Sequence, residues 1–152
     1  MKAGELEVNY AKAIDQALVQ AADRIYHQWD AALANNDIET LLTLYSPDII
    51  IETPLICHLL AKEEGVCRGK EELRQFLEIV AKRKPPKRQF FRIKYFTDGK
   101  TLMWEYPRLT PQGEQMDFVE VMELKDGLIE YHRIYWGWYG INVLKHDAYK
   151  RD

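Results

Sequence analysis

The stretch DFVEVMELKDGLIEYHRIYWGW, residues 117–138, limits the fold more than any other part of the chain. Two runs rich in β-branched and aromatic residues flank Lys125-Asp126-Gly127, which is the pattern of an antiparallel hairpin. Tyr135, Trp136 and Trp138 close its second strand. Within it sit one carboxylate among apolar neighbours, Glu120, and one histidine, His132. A hairpin this apolar has to be covered on one face, so the remainder of the chain is expected to pack on it and to leave a pocket there.

The segments that do the covering follow in order. From about Leu6 to Asn35, the residues Ile14, Leu18, Ala22, Ile25, Trp29 and Leu33 recur at three- and four-residue steps, one stripe of an amphipathic helix. Asn35-Asn36 end it. Asp37 is placed to cap a short second helix through Ile38, Leu41, Leu42 and Tyr45, stopped at Ser46-Pro47. Asp48 to Thr53 reads as a strand cut by Pro54, and residues 55–69 as a long irregular loop, a length that favours a functional or lid role. A third helix spans about Lys70 to Arg83, with Leu73, Phe76, Leu77 and Val80 inward, and Pro85-Pro86 stop it.

A hairpin turning at Asp98-Gly99 comes next. A two-residue turn would pair Thr97 with Lys100, Tyr95 with Leu102, Ile93 with Trp104 and Phe91 with Tyr106, and would set Lys94 against Met103 and Arg92 against Glu105. Thr110-Pro111-Gln112-Gly113 turns the chain into the last hairpin, and residues 142–152 form a polar tail that reads as an extension of the strand end. Helices gathered ahead of hairpin-linked strands define an α+β layer fold. With 152 residues the chain is one domain, with a core over about 10–140.

Composition excludes several partners. Twenty-one basic against 24 acidic residues give a net charge of −3, no electrostatic footprint for nucleic acid or an anionic membrane. Lys82-Arg83-Lys84 and Lys87-Arg88 are broken by Pro85-Pro86 and read as a solvated helix end and loop. The start MKAGELEVNY lacks an apolar leader core, and no apolar run approaches a membrane span, so a cytoplasmic location is expected. Cys57 and Cys67, even with His58 beside them, lack metal-ligand spacing, so no metal is expected and the two are read as ordinary thiols.

WDAALANNDIETLLTLYSPDIIIETP, then GVCRGKEELRQFL, then DFVEVMELKDGLIEYHRIYWG, resemble the nuclear-transport-factor-2-like superfamily, in the style of its SnoaL-like and ketosteroid-isomerase-like branches. The elements that carry the resemblance are an aromatic late in helix one, "ND" before helix two, "Y-x-P-D" before strand one, "G-K-E-E-L" at helix three and "D-G-L-I" in the last hairpin. It covers about residues 20–140. It implies three N-terminal helices on a curved, mostly antiparallel sheet, a cone-shaped barrel enclosing an apolar cavity, frequently a homodimer through the outer sheet face. It implies no cofactor.

Carried over residue by residue, the ketosteroid-isomerase pattern puts the oxyanion-binding tyrosine at Trp29, the general base at Thr53, the second oxyanion-hole acid at Glu120 and the cavity tryptophan at Trp136. A threonine cannot remove a carbon-bound proton at neutral pH unaided, so steroid isomerisation by that route is not expected. The limonene-epoxide-hydrolase branch carries a catalytic aspartate where this chain has Ile134.

Glu120 and His132 remain as the acid–base candidates. If Asp126-Gly127 alone make the turn, Glu120 lies opposite Arg133; if Lys125-Asp126-Gly127 form the loop with Gly127 left-handed, Glu120 lies opposite His132. The family alignment favours the second register, which puts Phe118, Ile134 and Trp136 on the same face. Tyr26, Trp29, Thr53, Trp104, Tyr106, Phe118, Ile134 and Trp136 are the candidates to line a cavity for a small apolar or aromatic molecule. His58 is a candidate for the cavity mouth. Tyr131, Arg133 and Tyr135 fall on the outer face and suit a homodimer interface. Two functions follow: cofactor-free acid–base catalysis (isomerase, cyclase, lyase or hydrolase type), or ligand binding and dimerisation without chemistry.

Overall fold

Helix α1, Gln16–Ala34, begins where Asp15 accepts a hydrogen bond from the Ala17 amide and ends at Asn35-Asn36, with Asn36 left-handed. The computed structural model describes residues 15–83, 94–110 and 112–146, and the expected helical turn before Gln16 lies outside them. Ala22, Ile25, Tyr26, Trp29 and Ala32 are the buried stripe of α1, the three- and four-residue rhythm of the sequence. Asp37 caps α2, Ile38–Thr43, by accepting from the Thr40 amide at 3.0 Å.

Strand β1, Tyr45–Glu52, starts before Ser46-Pro47 rather than after it. The expected helical Tyr45 is therefore a strand residue: Pro47 drives Ser46, the residue before it, out of the helical region, and α2 ends ahead of both. The expected loop over 55–69 is mostly regular. Pro54 opens helix α3, Pro54–Leu60, with Thr53 as its N-cap, so the proline starts a helix where it was expected only to end a strand. Val66–Arg68 form strand β2 against β1, and α4 runs over Gly69–Arg83 with Leu73, Phe76 and Leu77 buried.

Strand β3, Tyr95–Thr97, pairs with β4, Thr101–Leu109, two positions away from the expected register. Thr97 lies opposite Leu102, Phe96 opposite Met103 and Tyr95 opposite Trp104. Asp98 takes the Lys100 and Thr101 amides and Thr97 Oγ1 takes that of Gly99, which widens the turn. Each side chain keeps its face, because a shift of two preserves the pleat. The pairings expected of Phe91, Arg92 and Ile93 lie outside the described residues.

Strands β5, Gln115–Lys125, and β6, Leu128–Trp136, are the organising hairpin. Its register is neither of the two expected. Asp126 and Gly127 both have positive φ, so they make a two-residue turn in which Lys125 faces Leu128. Leu124 faces Ile129, but Glu123 faces Tyr131, so Glu130 is the extra residue of a β-bulge. Beyond it, Met122 faces His132, Glu120 faces Ile134 and Phe118 faces Trp136. The bulge turns His132 to the same side of the sheet as Glu120; without it the uninterrupted register would put the two on opposite faces.

Trp138, expected to close β6, instead opens helix α5, Trp138–Lys145, and is 82% exposed. Gly140, Val143 and Leu144 are that helix's buried side, so this part of the tail is helical rather than a strand extension. The six described strands run in the order β2-β1-β6-β5-β4-β3, and among them only β1–β6 is a parallel pair. The result is an α+β fold with helices packed on one face of a curved, unclosed sheet. Five helices are described, two more than the three expected. The outer face of β3, β4 and β5 carries Phe96, Met103 and Val121 side by side, with Arg133 next in the row on β6. Tyr135 stands on the same face, 56% exposed.

Candidate site: a buried polar chain on the sheet

Three cross-strand rows on the inner face of the sheet build the site. Leu102, Met122, His132 and Ile51 form one; Trp104, Glu120 and Ile134 the next; Tyr106, Phe118 and Trp136 the third. Glu120 is thus flanked by apolar neighbours in its own row and reaches diagonally for its polar partners. His132 Nε2 lies 2.6 Å from Glu120 Oε2, and the Tyr106 hydroxyl donates to Glu120 Oε1 at 2.7 Å. Glu120 and His132 are 2% and 1% exposed.

The chain of contacts continues on the other side of the imidazole. Tyr45 Oη lies 3.0 Å from His132 Nδ1, and Trp29 Nε1 donates to Tyr45 Oη at 2.9 Å. The direction of every bond follows from the ends. An indole N–H only donates, so the tyrosine oxygen accepts from it and keeps its own hydrogen for His132 Nδ1. That leaves the His132 proton on Nε2, donated to Glu120, with the second carboxylate oxygen taken by Tyr106. This arrangement pairs a neutral imidazole with an ionised carboxylate and satisfies each buried group, as burial demands. Burial pushes the Tyr45 phenol far above its ordinary pKa, so its O–H remains a donor throughout the physiological range.

A cavity of about 80 Å³ adjoins this chain. Trp29, Thr53, Tyr106, Phe118, Ile134 and Trp136 all line it, as do Glu120 and His132. These eight sequence candidates share one cavity wall. Tyr26 and Trp104, expected beside them, stand behind the wall: Trp104 meets Tyr26 and Trp29 edge to face, with ring centroids 5.2 and 5.4 Å apart, and neither is among the lining side chains. Thr53 accepts from the Leu55 amide at 3.3 Å and from Trp136 Nε1 at 3.2 Å. Both lone pairs of its hydroxyl are therefore used, and the hydroxyl has its hydrogen left to give.

Two polar lining residues escaped the sequence reading, Tyr45 and Arg108. Tyr45 was hidden by its assignment to a helix, although the Ser46-Pro47 that follows is the signal that moves it into the strand. Arg108 sits at the far end of β4 and lines both this cavity and a smaller one of about 40 Å³ beside it. His58, exposed on α3, lies on the smaller cavity. Cys57 and Cys67 are both free thiols, and burial pushes that of Cys67 up. Among the described residues, no three His, Cys, Asp or Glu side chains are grouped to hold a metal, and no helix is long and apolar enough to cross a membrane.

Solved structures share this architecture. A SnoaL-like protein from Burkholderia thailandensis E264 superposes with a TM-score of 0.62 at 20% identity, over 83% of this chain and 99% of that one. An NTF2-like protein from Anabaena variabilis ATCC 29413 gives 0.67 at 17% identity, over 87% and 98%. TerC, co-crystallized with polyporic acid, gives 0.65 at 15% identity, over 83% and 98%. No curated protein matches the chain in sequence. The model of the SnoaL-like domain family matches residues 26–132, from the middle of α1 to the histidine of the polar chain, and on that match, with the fold agreeing, the chain belongs to the SnoaL-like family.

Proposed function

We propose that the cavity takes a small apolar or aromatic molecule and that Glu120 and His132 move a proton on it without a cofactor. The observation that carries this reading is the 2.6 Å contact between the two, buried on the wall of the cavity. A carboxylate fixed by Tyr106 on one oxygen and His132 on the other still has a lone pair on each for a proton from the bound molecule. On taking it, Glu120 becomes neutral, and it returns the proton to the same or a neighbouring atom, which is the balance of an isomerisation. Tyr45 and Trp29 hold the imidazole in the tautomer that keeps Nε2 a donor to Glu120. TerC, co-crystallized with polyporic acid, supports the choice of a small-molecule ligand.

A first screen measures melting temperature against planar aromatic and terpenoid compounds, since a binder raises it by mass action. With a substrate from that screen, Glu120→Gln is expected to lower turnover by about 10²–10⁴-fold with little change in ligand affinity. Unchanged turnover would sink the proton-transfer role.

Binding without chemistry is the second reading. It is favoured by Thr53 at the position of the general base and by the saturation of the polar chain, in which every nitrogen of His132 and every oxygen of Glu120 already has a protein partner. A screen that yields tight ligands, none of them turned over, selects it.

A second copy of the chain is the partner proposed for the outer sheet face, where Phe96, Met103 and Tyr135 are exposed beside Val119 and Val121. Sedimentation equilibrium is expected to give a dimer that Tyr135→Glu converts to monomer; a monomeric wild type at micromolar concentration removes this proposal.

A further inference from the structure

The parallel pair of described strands, β1 and β6, comes apart at its C-terminal end. Glu52 and Arg133 are the last matched position. Thr53 then turns to Gly65, whose carbonyl takes its amide at 2.8 Å, while β6 runs on to Trp136. An open recess of about 390 Å³ occupies the fork, and Thr53, Ile134 and Trp136 are among its walls. The same three residues line the inner cavity of about 80 Å³, so they are the partition between the two spaces. A side-chain bond spans the fork there: Trp136 Nε1 donates to Thr53 Oγ1 at 3.2 Å.

A protein cavity that takes up one benzene ring measures roughly 150 Å³. The inner cavity is well short of that, so an aromatic ligand enters only when a wall side chain moves. Resting on the reading of the cavity as a ligand site, we propose that Trp136 is that side chain, a gate latched by the Thr53 hydroxyl. Swung into the fork, it joins the recess to the inner cavity and sets the size of ligand admitted. Trp29 and Trp104 are packed to 4% and 1% exposure, whereas Trp136 is half-buried with the open recess at its back. Breaking the latch strands no polar group. The indole N–H finds water in the recess, and Thr53 Oγ1 keeps the Leu55 amide at 3.3 Å. Phe118 meets the closed ring edge to face, with centroids 4.7 Å apart. Gly140 on α5 gives the ring its seat, since a Cβ there would stand 3.2 Å from Trp136 Cε3.

Fluorine NMR of the full chain carrying 5-fluorotryptophan tests this, with the Trp136 signal assigned through Trp136→Phe. That signal is expected to show microsecond-to-millisecond exchange with a minor open state, and those of Trp29 and Trp104 are expected to show none. Thr53→Val keeps the shape and removes the latch, so it is expected to raise the open population by about threefold to tenfold, while Thr53→Ser leaves it unchanged. Association of 2-naphthol, followed by stopped-flow quenching of tryptophan fluorescence, is expected to quicken by the same factor in Thr53→Val. The exchange in the unmutated protein keeps the test decisive if Thr53→Val fails to fold. A Trp136 signal without exchange would overturn the gate, and binding of 2-naphthol alongside it would leave the cavity reading standing. Exchange at Trp136 with no binding of 2-naphthol would overturn the cavity reading and the gate's role with it.

Discussion

His132→Ala is expected to lower the stability of the fold by about 3–5 kcal/mol, measured from urea unfolding at neutral pH. The imidazole is the partner of one oxygen of an ionised carboxylate that lies 2% exposed, and its removal leaves Glu120 with Tyr106 alone. A charge left in an apolar interior with one partner gone costs far more than the lost hydrogen bond. Glu120→Gln removes the charge and keeps the shape, so it is expected to cost only about 1–2 kcal/mol. The double variant separates the causes. If the penalty of His132→Ala comes from the stranded charge, Glu120→Gln in the same chain gives part of it back, and the two changes fail to add by more than about 1 kcal/mol. Strict additivity would mean that the pair is not coupled.

Trp104→Ala is the second large effect, at about 3–5 kcal/mol. Trp104 is 1% exposed and is one contact between the sheet and α1, where Tyr26 and Trp29 lean edge to face on its ring. Its removal empties the layer behind the cavity wall, and the neighbours collapse only in part. Trp29 loses its backing, and with it the Nε1 donor that sets Tyr45. Trp104→Phe, which refills most of the space, is expected to restore more than half of the stability, read from the shift in urea midpoint at constant slope. A cost below about 1 kcal/mol for the alanine would show that α1 repacks against β4 without it.

The helices α1 and α4 and the identity of the buried pair were legible in the sequence, and for the same reason. Periodicity records which side chains avoid water, and α1 and α4 have only one way to bury theirs. Glu120 and His132 stood out because polar residues are rare in runs so apolar. What failed was counting along strands. The bulge at Glu130 has no glycine and no break in hydrophobicity to mark it, so neither register written from the turn placed Ile134 opposite Glu120. In the β3–β4 hairpin, Asp98 and Thr97 spent the amides that a tight turn would have left for the ladder. Tyr45 and α3 were missed because Pro47 and Pro54 were taken as stops. One lies inside a strand and the other at the first turn of a helix, positions that proline tolerates for different reasons. Arg108 carries no pattern at all in sequence, since a single arginine at a strand end is ordinary until the folded chain brings His58 and Arg83 near it.

The extra residue at Glu130 means that the polar chain is written in the length of the segment as well as in its letters. Substituting Glu130 by another residue that suits a bulge is compatible with the site; deleting it would send His132 to the outer side of the sheet while every residue named in the polar chain stayed in the sequence. Relatives that keep a glutamate and a histidine in these strands but differ by one residue between the turn and the histidine would align well and lack the pair. Spacing from Asp126-Gly127 to His132, rather than the presence of the two residues, is therefore the mark by which chains sharing this site can be told from those that share only the fold.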